Sequence, residues 1–232
     1  MTRKNNQKPN CIIAARLGSK RIKEKNIKLF HGLPFIAYSI RVAKKSKLFE
    51  NIYVSTESEK IAKVARKYGA IVPNLRPKKL SGDNTPIRDV VLDFISKNSL
   101  TGPKYNFFIY PIAPLMNHKD LIKAYNKIKS IDYDLLISVK EFEKSPERAF
   151  IIKDKKNLVF LKNNKLYKRS QDLKKQYFDS GSFFIFNTKE YIKNKYYPKK
   201  TTFYLYKYQE AIDIDKPEDL DILKILYKKN SH

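Results

Sequence analysis

Cysteine is nearly missing from this 232-residue chain, with Cys11 its single example. That excludes an intramolecular disulfide and an all-cysteine metal site, and Cys11 reads as a small apolar residue opening a strand. The three histidines, His31, His118 and His232, have no metal-ligand spacing and are expected at the surface. No Ser-His-Asp order is evident either. Runs of the roughly 18 to 20 apolar residues that cross a bilayer are absent. Residues 1–10 are polar and basic, without the apolar centre or cleavage site of a leader. They are expected to form a disordered basic tail ahead of one cytoplasmic domain over 11–232. Two phosphate-binding glycine patterns, G-x-x-x-x-G-K-[ST] and G-x-G-x-x-G, are missing as well.

Acidic residues are in short supply: 23 Asp and Glu face 49 Lys and Arg, for a net charge of +26. Such an excess suggests a nucleic-acid partner. The charge is mostly lysine, however, and is spread from Lys4 to Lys229, while arginine, the better residue for bidentate recognition, is sparse. Solvated lysine-rich faces are the simpler reading, and a basic RNA-binding protein is the alternative. A basic surface would equally attract small anions.

A hydrophobic fraction of 42% suffices for one well-buried domain. The apolar run at 11–15 suits a buried parallel strand, and the basic, small-residue stretch 16–26 a ligand-binding turn after it. Helical spacing follows at 34–45, 58–68, 87–97, 120–131 and 217–228, with Gly69 a stop for the second helix. Strands are expected at 51–56, 70–72, 106–110, 134–139, 182–186 and 203–208, and a loop at 73–86. The alternation implies an α/β fold with a largely parallel sheet. From 141 to 176 the chain turns polar and irregular, with β-like pieces at 149–152 and 158–161, and looks like an excursion from the core.

Two stretches could carry chemistry. At 15–26, Arg16, Lys20, Arg21 and Lys25 crowd around Gly18 and Ser19 at the carboxyl end of the first strand, where open α/β sheets bind ligands. Gly18 allows close backbone approach, and Ser19 can donate to phosphate oxygens. Four cations would repel one another there without an anion. A basic solvent loop is the plainer alternative. At 211–215, strand alternation would send Asp213 and Asp215 to one side, where a divalent cation would relieve their repulsion. Alternatively, Asp215 is the N-cap of the last helix, ahead of Pro217. Together the stretches imply nucleotidyl transfer through positioning and charge neutralisation.

At these residues the chain resembles the acylneuraminate cytidylyltransferases, whose signature runs A-R-x-G-S-K followed by K-N. The likeness continues through Pro34 to Ile40, Val54 to Thr56, Leu75 to Pro77, Ala113 to Leu115 and Ile212 to Asp215. Residues 146–149 and 169–173, followed by Tyr177, Asp179 and Gly181, are similar to the pseudaminic acid branch. The resemblance implies a Rossmann-like nucleotide-diphospho-sugar transferase fold, Mg²⁺ as cofactor, and a homodimer reached through the 141–176 excursion. It implies CTP and an acidic nine-carbon sugar as substrates, with N-acylneuraminate, legionaminate and ketodeoxyoctonate as alternative sugars. By position, Arg16, Ser19, Lys25 and Asn26 would hold the CTP phosphates and ribose, and Lys20, Arg21 and Lys25 the departing pyrophosphate. Arg76 and residues around Ser81 to Thr85 would line the cytidine pocket, and Asp213 and Asp215 would bind the metal. Arg169, Gln171, Asp179, Ser180 and Gly181 would face the sugar, with Arg169 a partner for its carboxylate. Departures are Glu57, where relatives carry Asp, and Tyr110 and Met116, where sialic acid enzymes carry Gln and Arg. Tyr110 reads either as a sugar-site residue or as an aromatic at the edge of the core.

Overall fold

The computed structural model describes residues 7–160, 168–194 and 198–230. Its centre is a six-stranded sheet in the order β10-β6-β9-β5-β1-β4. The strands are β1 (Cys11–Ala14), β4 (Ile52–Ser55), β5 (Tyr105–Ile109), β6 (Leu135–Glu141), β9 (Tyr177–Asn187) and β10 (Thr201–Tyr206). β1 pairs in parallel with β4 and β5, and β10 in parallel with β6. β9 runs antiparallel between β5 and β6, so five strands share one direction. β2 (Leu29–Phe30) and β3 (Leu33–Pro34) form a small antiparallel pair ahead of the first helix.

Alternation within the strands explains the layers. Cys11, Ile13, Phe107, Ile109, Phe183 and Ile185 join one buried cluster, whereas Ile12, Phe108 and Phe186 join another on the opposite face. The first face packs α1 (Phe35–Ser46), α2 (Glu59–Lys67) and α4 (His118–Ile131); the second packs α3 (Ile87–Lys97) and α5 (Thr188–Lys193). Phe107, Phe108, Phe183 and Phe186 are fully buried, each contributing about 1.5–3 kcal/mol of transfer free energy. Helix ends follow local chemistry. The Ser58 hydroxyl accepts from Ile61 N–H at 3.4 Å to start α2, and Gly69, at φ +90°, ends it by donating to Arg66 O at 2.9 Å. At α4, Asn117 Oδ1 accepts from Lys119 N–H while Asp120 Oδ2 accepts from Asn117 N–H, both at 2.9 Å.

The five longer helices expected from periodicity are present, the last as α6 (Pro217–Asn230). Four expectations need correction. The strand expected at 70–72 is one bridge, Tyr53 to Ile71, confined between Gly69 and Pro73. The tail expected over 1–10 does not reach Asn10, which is 5% exposed and donates its N–H to Asn106 Oδ1 at 2.8 Å; residues 1–6 lie outside the described residues. The segment 211–215 is extended but is not a strand, because its backbone bonds go to side chains. Ala211 O accepts from the buried Lys140 Nζ at 2.8 Å, and Asp215 N–H donates to Asp219 Oδ2 at 2.7 Å. Finally, β9 begins at Tyr177, five residues ahead of the expected strand, and crosses a bulge opposite Ser138. The excursion contains a hairpin, β7 (Phe150–Ile152) with β8 (Leu158–Phe160), whose six residues are all exposed. Residue 161, expected in its second strand, lies outside the described residues. No described helix is long and apolar enough to cross a membrane.

Candidate active site at the carboxyl edge of the sheet

The carboxyl ends of β1, β4, β5 and β10 and the amino end of β9 meet at one edge, because β9 alone is reversed. The loop after β1 is fixed from within and from below. Asn26, 5% exposed, donates to Arg16 O at 2.7 Å, and Ser19 N–H is spent on Leu17 O at 2.8 Å. Leu17 N–H donates to Glu57 Oε1 at 2.7 Å, and Glu57 Oε2 takes the Arg76 guanidinium at 3.1 Å. Arg76 also donates to Ser81 Oγ at 3.1 Å. Burial pulls the Arg76 pKa down, while the Glu57 charge pulls it back up. The longer side chain at 57 therefore spans from the loop backbone to a buried arginine.

The second stretch reaches the same place by packing. Ile214, 1% exposed, joins Ile22, Phe35 and Leu223 in a third cluster, with Ile212 against it. Burying alternate isoleucines leaves Asp213 and Asp215 pointing into the same cavity as the β1 loop. Asp215 accepts from Arg21 at 2.9 Å and lies 3.5 Å from Lys25 Nζ, which also donates to Ile214 O. Asp215 is thus a partner of cations; its own N–H, with that of Lys216, is held by Asp219, which caps α6 instead. Asp213 accepts no hydrogen bond among the described residues. Desolvation and then the Asp215 charge raise its pKa.

The cavity measures about 350 Å³. Arg16, Lys20, Arg21 and Lys25 line it together with Ser19, Asn26, Arg76 and Thr85. Asp83, on the loop opposite, accepts from Lys20 and from Arg16, which hold its carboxyl down at about 2. A second, mostly apolar cavity of about 390 Å³ adjoins the first, sharing Ile87 and Tyr110 with it. Tyr110 is set by Ser39 Oγ, which donates to its carbonyl at 2.8 Å, and its hydroxyl lies 3.3 Å from Asp179 Oδ2. Asp179 Oδ1 accepts from Gly181 N–H at 2.9 Å, and desolvation raises its pKa.

Other expected residues stand elsewhere or play another part. Ser180 is 2% exposed and its hydroxyl donates to Ser138 Oγ at 2.8 Å, so it stitches the β9 bulge and lines neither cavity. Gly181, at φ +67°, packs on Asp213: a Cβ there would lie 3.4 Å from Asp213 Cγ. Ser81 acts through Arg76. Gly18 has nothing within 4 Å of where a Cβ would stand, so no protein contact demands glycine there. Arg169, its side chain 77% exposed, pairs with Asp172 at 3.4 Å, and neither it nor the exposed Gln171 lines either cavity. Met116 is buried in the core. Of the residues that do line the cavities, Asp83 falls within the 81–85 stretch expected at the cytidine pocket, whereas Ile87 and Arg88 were expected only as part of a helix. Nothing in the helical spacing of 87–97 singles out Arg88.

An ion such as Mg²⁺ prefers one or two carboxylates together with phosphate oxygens and water. An uncommitted Asp213 beside Asp215, in a cavity otherwise lined by cations, fits that donor set. No cluster of three or more metal-binding side chains occurs among the described residues, so phosphate and water would have to complete the shell.

The cytidylyltransferase family profile matches residues 10–231. A pseudaminic acid cytidylyltransferase of Campylobacter jejuni (strain 81-176) is 40% identical over 225 residues, 95% of this chain and 96% of that protein. A CMP-N,N'-diacetyllegionaminic acid synthase of Legionella pneumophila is 31% identical over 227 residues, 95% of this chain and 96% of that protein. Among solved structures, a CMP:2-keto-3-deoxy-manno-octonic acid synthetase complexed with CTP superposes with a TM-score of 0.70 at 12% identity, covering 96% of this chain and 99% of that one, a likeness of fold. With a doubly covered sheet, a cation-lined cavity at its carboxyl edge and a family match over nearly its whole length, the chain belongs to the cytidylyltransferases, a family of nucleotidyltransferases.

Proposed function

We propose that this enzyme transfers CMP from CTP to the anomeric hydroxyl of a nonulosonic acid, with pseudaminic acid its substrate. The observation that carries the reading is the junction of the β1 loop with the 211–215 segment in one cavity, Lys25 on Ile214 and Asp215. The choice of sugar is supported by the 40% identity with the C. jejuni relative, and by Tyr110, which lines both cavities at a position where the sialic acid enzymes that the sequence resembles carry Gln. CTP fits the first cavity, with its triphosphate among Arg16, Lys20, Arg21 and Lys25 and its cytidine toward Arg76 and Thr85. The sugar fits the second, reached past Tyr110. Its anomeric hydroxyl attacks the α-phosphorus in line and gives up its proton to solvent, the bond from the α-phosphorus to the bridging oxygen breaks, and pyrophosphate departs. The four cations stabilise the leaving group by charge already in position. Asp213 and Asp215 would hold Mg²⁺, which when bound neutralises charge on the α-phosphate.

A homodimer is part of the proposal. Phe150, Ile151, Ile152, Leu158, Val159 and Phe160 expose an apolar surface on the β7–β8 hairpin, of the kind that a second copy covers. Ile152→Glu would yield monomer in analytical ultracentrifugation. For the reaction, pyrophosphate release is measured with CTP and a panel of pseudaminic acid, N-acetylneuraminate, legionaminate and ketodeoxyoctonate. Turnover led by pseudaminic acid is expected. Preference for another sugar would overturn the substrate, and no release with any, alongside salt-sensitive RNA binding, would overturn the enzyme reading.

A further inference from the structure

We infer that Arg88, on the first turn of α3, binds the carboxylate of the acidic sugar; this rests on the acceptor reading above. Four arginines line the two cavities. Three of them face a carboxylate of the protein: Arg16 with Asp83, Arg21 with Asp215 and Arg76 with Glu57. Arg88 pairs with none among the described residues, and the residues outside the described ranges contain no Asp or Glu. Its guanidinium is held from two sides. One Nη donates to Asn194 O, and the group lies 4.9 Å over the Tyr191 ring. The remaining nitrogens have no partner among the described residues, and the cavity around them is walled by Ile87, Leu135, Ile137 and Phe184.

A guanidinium with no ion-pair partner among the described residues, in a cavity walled mostly by apolar groups, is stabilised by a ligand that supplies an anion. A guanidinium fork that is already oriented matches a carboxylate in two parallel hydrogen bonds. In an ulosonic acid the carboxylate sits on the anomeric carbon, so the group that binds it also fixes the attacking hydroxyl. Arg88 adjoins Ile87, and Ile87 and Tyr110 line both cavities, at the boundary where that hydroxyl must reach the nucleotide. Asp179 shares the second cavity without an ion pair to Arg88, and a cation there offsets its repulsion of the substrate's acid group. Arg169 is the weaker candidate, being exposed, paired with Asp172 and outside both cavities.

The test uses Arg88→Met and Arg88→Lys, each assayed by pyrophosphate release at saturating CTP and then at saturating sugar. Both variants are first shown to melt within a few degrees of wild type. KM for the acid sugar is expected to rise about 10- to 100-fold in Arg88→Met, the range for a charge-assisted hydrogen-bonded pair, with partial rescue in Arg88→Lys and an unchanged KM for CTP. The C1 carboxamide of the same sugar, added as a competitive inhibitor, should bind wild type and Arg88→Met alike. An unchanged sugar KM in an active Arg88→Met enzyme would overturn the role of Arg88 alone. Inactivity of wild type toward every acid sugar would overturn it together with the acceptor reading.

Discussion

Lys25 Nζ donates to the carbonyl of Ile214, 189 residues away in sequence, and stands 3.5 Å from Asp215 Oδ1. One ammonium thus joins the phosphate-type loop to the carboxylate segment. Lys25→Met should lower kcat on the order of 100-fold, the loss typical when one positioned group stabilising developing charge is removed. Pyrophosphate release at saturating substrates measures it. Turnover within threefold of wild type would remove Lys25 from the chemistry.

Asp213 carries the opposite signature in stability and in activity. Its folded-state pKa is raised by desolvation and by Asp215, so the folded protein holds that proton more tightly than the unfolded chain. Ionised Asp213 therefore costs stability above the ordinary carboxylate pKa, and the cost fades as pH falls through the raised value. Asp213→Asn should melt higher than wild type at pH 8 in chelator, converge with it in acid, and lose turnover by orders of magnitude. A lower melting temperature at pH 8 would contradict the repulsion argument.

Glu57 is long enough to hold both Leu17 N–H and Arg76, with side-chain exposures of 18% for Glu57 and 5% for Arg76. Glu57→Asp, one methylene shorter, should give up one of the two contacts. We expect stability to fall by about 1–3 kcal/mol as a buried polar group goes unpaired and KM for CTP to rise about tenfold, with KM for the sugar unchanged. Chemical denaturation and steady-state kinetics separate the two effects.

Gly181 combines a positive φ of +67° with contact against Asp213. Gly181→Ala should cost about 1–2 kcal/mol in backbone strain alone. It should also reduce kcat by more than that loss explains when assayed well below the melting temperature, because relief of the φ strain shifts the backbone against which Asp213 packs. Full activity in a destabilised variant would confine Gly181 to the β9 bulge.

Asp83 occupies Arg16 and Lys20 with its own charge. Because its carboxyl titrates at about 2, that charge is present at every usable assay pH. A triphosphate must displace it, so Asp83→Asn should lower KM for CTP about two- to fivefold, in keeping with exposed ion pairs, and the change should be flat between pH 6 and 9. A higher KM would show that Asp83 organises the loop.

Local chemistry made most of this protein legible. The apolar run at 11–15, the 3.6-residue spacing of α3 and the Gly69 stop each depend on neighbours within a few residues, and each has its counterpart in the fold, the first as the strand Cys11–Ala14. The crowding of Arg16, Lys20, Arg21 and Lys25 was equally visible, since like charges in one short turn call for an anion whatever surrounds them. What sequence could not disclose depends on contacts between distant segments. Reversal of β9 brings Asp179 to the same edge as Tyr110. Burial of Ile214 beside Ile22 aims Asp213 and Asp215 without any strand, and the pairing of three cavity arginines with acids leaves Arg88 as the exception. Such arrangements are decided by long-range packing, because a side chain's partner and its exposure are properties of the folded chain and not of its neighbours in sequence.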